Sequence, residues 1–185
     1  FILGRCEGGA GVCTADNDFT YTVSTAGSIY GAKALHYRMD EASWSNGAQD
    51  VKDISTNAYH GQPYGDVTTL DTGITDGPYD RAGDFQGSGD YITTPLNIDQ
   101  SSSTAGVTFE AWVKPTLNDT TYKYVISTEN GGYDWGFAVR STSWYVNTGD
   151  TRWAPVSATL DDWQHVAVVY EPGQPIKFYK NGSKY

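Results

Sequence analysis

The stretch Val107-Thr108-Phe109-Glu110-Ala111-Trp112-Val113-Lys114-Pro115 constrains this chain more than any other. Val107, Phe109, Ala111 and Val113 fall on one face of an extended strand, and Thr108, Glu110, Trp112 and Lys114 on the other. A period of two belongs to a strand, and Pro115 ends it by removing a ladder donor. A strand with one apolar face needs a second layer to cover that face.

The remaining residues supply such a layer. Leu35-His36-Tyr37-Arg38-Met39 reads as a first core strand, with Leu35, Tyr37 and Met39 on one side. Asp84-Phe85 and Tyr91-Ile92-Thr93 flank a turn from Gln86 to Asp90, which predicts a hairpin. Strands are expected over Tyr124–Ser127, Trp135–Val139 and Ser143–Val146. Trp163–Tyr170 is apolar on both faces and reads as a central strand. Ile176–Tyr179 returns the chain, and Asn181-Gly182 signals a tight hairpin turn. No window carries a sustained helical stripe, and the 14 Tyr, 6 Trp and 21 Gly suit pleated surfaces and turns. The chain is read as all-β, a sandwich or jelly roll.

A length of 185 residues favours one core. Residues 1–33 read as a Gly-rich lead-in with one candidate strand, Phe19–Val23, and 34–185 as the main domain. Cys6 and Cys13 bracket the Gly-rich segment and are expected to form a short disulfide in an oxidising compartment. The other reading, a metal site, would need more than one Cys pair without a nearby His. The formal net charge is −10, which disfavours nucleic acid and anionic lipid surfaces as partners. No apolar run approaches the ~20 residues of a membrane span, so membrane insertion by this segment is not expected. The opening Phe1-Ile2-Leu3 reads as the start of a mature or excised piece of a longer protein.

Six motifs in order carry a resemblance. They are Tyr37–Glu41; Asp53–Asn57 with His60-Gly61; Gly83–Ile92; Thr108–Pro115; Trp163–Ala167; and Phe178–Gly182. Over residues 35–185 the chain resembles the laminin-G-like (concanavalin A-like) jelly-roll domain of bacterial surface proteins. Asp40–Trp44 with Val51–Asp53 looks closest to the version in accessory proteins of mannose-sensitive haemagglutinin type IV pili. The resemblance implies two antiparallel sheets face to face, one concave, often with calcium and sometimes a carbohydrate site in the loops. Gln86 stands where relatives commonly carry Asp, which removes one charged ligand. The family also continues beyond the Asn181-Gly182 hairpin. The sequence therefore reads either as truncated after Tyr185 or as one whose residues 1–34 supply the missing strands. An uncompleted sheet would offer an edge to another chain.

For chemistry, glycanases of related folds need two carboxylates on one strand face. Glu110 stands alone on its strand, and the adjacent Asp161-Asp162 face opposite ways. His36, His60 and His165 lie on or beside apolar strands and read as structural, so the chain is taken as a non-enzyme. Calcium is the candidate cofactor, with Asp53, Asn57, Asp84 and Asp90 in Gly- and Ser-rich segments near strand ends as its candidate ligands; the other reading is that most of these are turn residues capping backbone groups. A glycan site is expected where aromatic and polar residues cluster: Asp134, Trp135, Trp144, Asn147 and Trp153. Trp112 and Trp163 are expected to fill the core, and Trp144 and Trp153 to form an exposed pair. The functional expectation is an extracellular or cell-surface recognition and adhesion domain whose partner is a glycan or a surface protein. The alternatives are an assembly module docking a pilin or other protein, and an accessory domain of a secreted glycoside hydrolase.

Overall fold

The computed structural model describes residues 2–3, 13–22, 34–71, 81–86, 89–96, 106–116, 118–128, 135–148 and 151–185. For 2–3, 13–22 and 151 it describes the backbone alone. These residues form strands β1 (Ile2–Leu3), β2 (Cys13–Thr22), β3 (Leu35–Tyr37), β4 (Gln62–Tyr64), β5 (Thr68–Asp71), β6 (Arg81–Phe85), β7 (Tyr91–Thr93) and β8 (Val107–Pro115). They continue with β9 (Lys123–Ser127), β10 (Trp135–Arg140), β11 (Ser143–Thr148), β12 (Thr151–Trp153), β13 (Gln164–Tyr170), β14 (Lys177–Lys180) and β15 (Ser183–Lys184). Among the described residues no helix is long and apolar enough to cross a membrane.

Two antiparallel sheets face each other. The seven-stranded sheet runs β12-β11-β10-β9-β1-β7-β4; the eight-stranded one runs β15-β14-β13-β8-β2-β6-β5, with β3 also paired to β2. The fold is an all-β, concanavalin A-like jelly roll. Strands β1 and β2 come from the stretch read as a lead-in, yet they lie inside the two sheets. β1 bridges β9 and β7, and β2 sits between β8 and β6. The expected Cys6–Cys13 disulfide falls outside the described residues, since of Cys13 only the backbone is given.

Strand β8 behaves as its alternation dictates. Val107, Phe109, Ala111 and Val113 are buried, Thr108, Glu110 and Lys114 are half-buried, and Trp112 is 41% exposed. β13 pairs along its whole length, from Val113↔Gln164 to Val107↔Tyr170, and places Val166, Val168 and Tyr170 on the same inner face. From the opposite sheet come Trp135, Phe137 and Val139 of β10 and Trp144 and Val146 of β11. Phe109 meets Tyr170 edge-on at 5.7 Å and Trp135 at 6.4 Å, and Trp135 lies 4.3 Å from Tyr170. Each such pair adds about 0.5–1.5 kcal/mol beyond the area it buries.

Polar groups taken into this core are tied off. Tyr170 reaches across the sandwich and donates its hydroxyl to Asn147 O at 3.1 Å, and burial pushes its phenol far above the ordinary tyrosine range. Gln164, fully buried, accepts from Trp144 Nε1 at 3.1 Å and Thr159 N at 3.0 Å and donates to Thr159 O at 2.6 Å. The Asn181-Gly182 turn has both residues in the left-handed region, φ 49° and 78°, as a tight primed hairpin requires.

Candidate functional site

Of the four candidate calcium ligands Asp84 lies in strand β6 and Asp53, Asn57 and Asp90 lie outside the named strands, and each is engaged with the protein. Asp53 is buried and its carboxylate accepts from the amides of His36, Ser55 and Tyr59, each at 2.8 Å, and from the Ser55 hydroxyl at 2.7 Å. Asn57 is exposed and donates to Ala34 O at 2.9 Å. Asp90, 2% exposed, joins two loops by accepting from Asp66 N at 2.8 Å and Gln86 N at 2.7 Å. Asp84 accepts from Gln86 Nε2, and its other oxygen is buried with no hydrogen-bond partner among the described residues. Gln86 thus donates to Asp84 from its side chain and to Asp90 from its backbone amide.

A calcium ion takes six to eight oxygens. Among the described residues no three His, Cys, Asp or Glu side chains gather to hold a metal. Asp53 already carries a full set of protein donors, so the expected set does not fit a calcium shell. These carboxylates pin loops.

The expected glycan cluster does not assemble on a surface. Asp134 lies outside the described residues. Trp144 is fully buried between Phe137 and Phe178, each 6.4 Å away, so its expected exposure is corrected. The cause is the period of β11, which turns Trp144 and Val146 into the core and Tyr145 and Asn147 outward. Trp135 is 5% exposed and packs on Tyr170. Asn147 is 6% exposed and donates to the Tyr124 hydroxyl at 2.6 Å. Trp153 alone is exposed, at 37%, and its register with Val146 sets it on the inner side of an edge strand.

Trp112 corrects the expectation in the opposite sense. It stands at the middle of the eight-stranded sheet on the face away from the core, the most exposed of the described tryptophans beside the half-buried Trp163. His165 pairs with it across β13, the two ring centroids 5.4 Å apart at 57°. His165 Nε2 lies 3.7 Å from Glu110 Oε2, and both side chains are 30% exposed. Asn181 Oδ1 holds the His165 amide at 2.9 Å and fixes this end of the strand. In the next row Glu110, Ala167 and Tyr179 stand side by side on β8, β13 and β14. Ala167 adds only a methyl group, so the surface dips between Glu110 and Tyr179, about 10 Å apart at two strand spacings.

This arrangement has an exposed indole, a carboxylate acceptor and an imidazole on one rigid sheet face. An indole packs against the C–H face of a sugar ring, while the polar pair can take hydroxyls. Its signal was legible: Trp112 shares the parity of Thr108, Glu110 and Lys114, and parity outweighs the general tendency of tryptophan to be buried.

The laminin-G-type model of the concanavalin A-like lectin/glucanases superfamily matches residues 86–185. The chain belongs to this family. The matched span carries β7 to β15 and so includes Glu110, Trp112 and His165. Membership suggests a carbohydrate-binding or adhesion-type domain. No curated protein and no solved structure matches the chain.

Proposed function

We propose that this is a non-catalytic glycan-recognition domain of an extracellular or cell-surface bacterial protein, binding sugar on the outer face of its eight-stranded sheet. The exposed indole of Trp112, flanked by His165 and Glu110, carries this reading. The absence of a catalytic role is argued from Glu110. A retaining glycosidase needs a second carboxyl about 5–5.5 Å away, whereas the ion-pair partner of Glu110 among the described residues is His165. The parent protein is proposed to be a surface or pilus-associated assembly, following the likeness of Asp40–Trp44 to the haemagglutinin-pilus accessory proteins.

A glycan array probed with the wild type and with Trp112→Ala tests the proposal. Removing the central aromatic anchor is expected to cost at least about 2 kcal/mol, roughly thirtyfold in affinity. Binding unchanged in Trp112→Ala would move the site elsewhere. One observation favours a second reading, assembly with a pilin or other partner protein. Among the described residues strand β12 lies at the end of the seven-stranded sheet with Arg152 and Trp153 exposed, and such an edge can pair with a further strand. No glycan binding, together with a stable complex with a pilin-type protein, would favour that reading.

A further inference from the structure

Strand β4 ends the seven-stranded sheet and pairs with β7 through Gln62↔Thr93, Pro63↔Ile92 and Tyr64↔Tyr91. Pro63 and Ile92 are buried, so the period of two turns Tyr64 and Tyr91 to the outer face, where both are half-buried. Residues directly opposite on one face of an antiparallel pair hold their Cβ atoms about 4.5–5.5 Å apart. The two tyrosine rings stack there, 4.8 Å apart between centroids and 14° apart in plane. The residues just beyond them are tied together as well. Asp66 N donates to Asp90 Oδ1 at 2.8 Å. Gly65, at φ 82°, passes so close that a Cβ would lie 2.6 Å from Gly89 O and 2.3 Å from Asp90 Oδ1. Strand pairing on one side and this close approach on the other keep the two tyrosines opposite each other.

Their phenols set the pair apart from the other tyrosines of the sandwich. Tyr37 and Tyr170 spend their hydroxyls on Tyr59 O and Asn147 O. No described residue takes a hydrogen bond from Tyr64 or Tyr91. Tyr122 meets Tyr145 edge-on at 84° and Tyr124 at 6.1 Å, and the guanidiniums of Arg140 and Arg152 cover its ring. Only for Tyr64 and Tyr91, among these, do two phenols lie side by side with matching direction. In a directly bonded biaryl the ring centres are nearly as far apart as in this stack. Joining one ortho carbon to the other therefore leaves both centroids almost in place and asks mainly for rotation about χ2, a broad torsion in tyrosine.

We propose that Tyr64 and Tyr91 are an oxidative crosslinking site, joined as dityrosine by a one-electron oxidant of the peroxidase–peroxide class. Each phenol gives up one electron and its hydroxyl proton to become a phenoxyl radical. The two radicals form a carbon–carbon bond between ortho positions, and the two ring hydrogens displaced move to the oxygens as the rings regain aromaticity. One hydrogen peroxide takes up the two electrons and two protons and leaves as two waters. The bond rivets the end strand of the sheet to β7 and closes the chain between residues 64 and 91. Such a closure restricts the unfolded chain much as a disulfide does. The site lies on the opposite sheet from Trp112 and holds whether or not that face binds sugar.

The test treats dilute wild type, Tyr64→Phe, Tyr91→Phe and Tyr122→Phe with a haem peroxidase and hydrogen peroxide. Trypsin cuts after Arg81, between the two tyrosines, so the crosslink is read by mass spectrometry as a joined peptide pair lacking two hydrogens. The treated wild type should stay monomeric on a denaturing gel, gain dityrosine fluorescence, and melt about 5 °C or more above the untreated protein. Tyr64→Phe and Tyr91→Phe should each lose the joined peptides and the rise in melting temperature, and Tyr122→Phe should keep both. Untreated, the first two variants should melt within about 2–3 °C of the wild type, because the rings remain and no hydrogen bond is lost. Peptide mapping of the wild type decides the pairing by itself, whatever the variants' stability. Dityrosine mapped to other tyrosines, crosslinks only between molecules, no crosslink at all, or a crosslinked protein that melts no higher would each overturn the proposal.

Discussion

Replacing Trp144 by Ala and Trp112 by Ala separates a tryptophan that holds the fold from one that faces solvent. Trp144 is fully buried, contacts Phe137 and Phe178, and donates to Gln164 Oε1 at 3.1 Å. Truncation removes a large apolar side chain and leaves a cavity, a change that costs about 3–5 kcal/mol. Gln164 keeps its hydrogen bonds to Thr159, so no second polar group is orphaned and the cavity term dominates. For a domain of this size, 1 kcal/mol moves the melting temperature by about 2–4 °C, so Trp144→Ala should melt about 6–20 °C below the wild type. Trp112 is 41% exposed and packs mainly on His165, so its removal should shift the melt by no more than about 2–3 °C. Thermal unfolding followed by near-ultraviolet circular dichroism reads both, and Trp144→Phe should fall between the wild type and Trp144→Ala. A Trp144→Ala melt within 2–3 °C of the wild type, or a larger drop for Trp112→Ala, would refute the assignment of inner and outer faces.

Three further outcomes are expected. Tyr170→Phe should lose about 1–2 kcal/mol in urea denaturation, because Asn147 O and Gly136 O lose their shared donor. Since burial raises the Tyr170 phenol, the native state holds a proton that the unfolded chain releases above pH 10.0. Stability is therefore full below that pH and falls above it, less steeply in Tyr170→Phe. Asp53→Ala should cost about 3 kcal/mol or more by the same denaturation, since the amides of His36, Ser55 and Tyr59 all lose their acceptor. Adding calcium or a chelator should leave the melting temperature unchanged, because the four candidate ligands form no common shell; a rise with calcium would reverse that conclusion.

The sequence by itself determined the local geometry and, through it, the class of fold. The alternation of β8, the apolar run of β13 and the Asn181-Gly182 turn each follow from period, burial preference and backbone freedom over a few residues, and two packed sheets are the economical way to cover them. The same alternation puts Trp112 on the face opposite Phe109 and Trp144 on the face of Val146, but it does not say which face is covered, and the expected burial of Trp112 and exposure of Trp144 are both reversed in the sandwich. That decision is tertiary, because a strand's two faces are equivalent until another sheet arrives. Tertiary structure also set Ile2–Leu3 and Cys13–Thr22 into the two sheets and spent Asp53 and Asp90 on backbone amides from distant loops. Arg140 and Arg152 met at Tyr122 in the same way, from β10 and β12 through pairing with β11 between them. No local pattern encodes these meetings. They come from pairing between segments far apart in the chain, whose register is chosen by the burial of the whole sandwich.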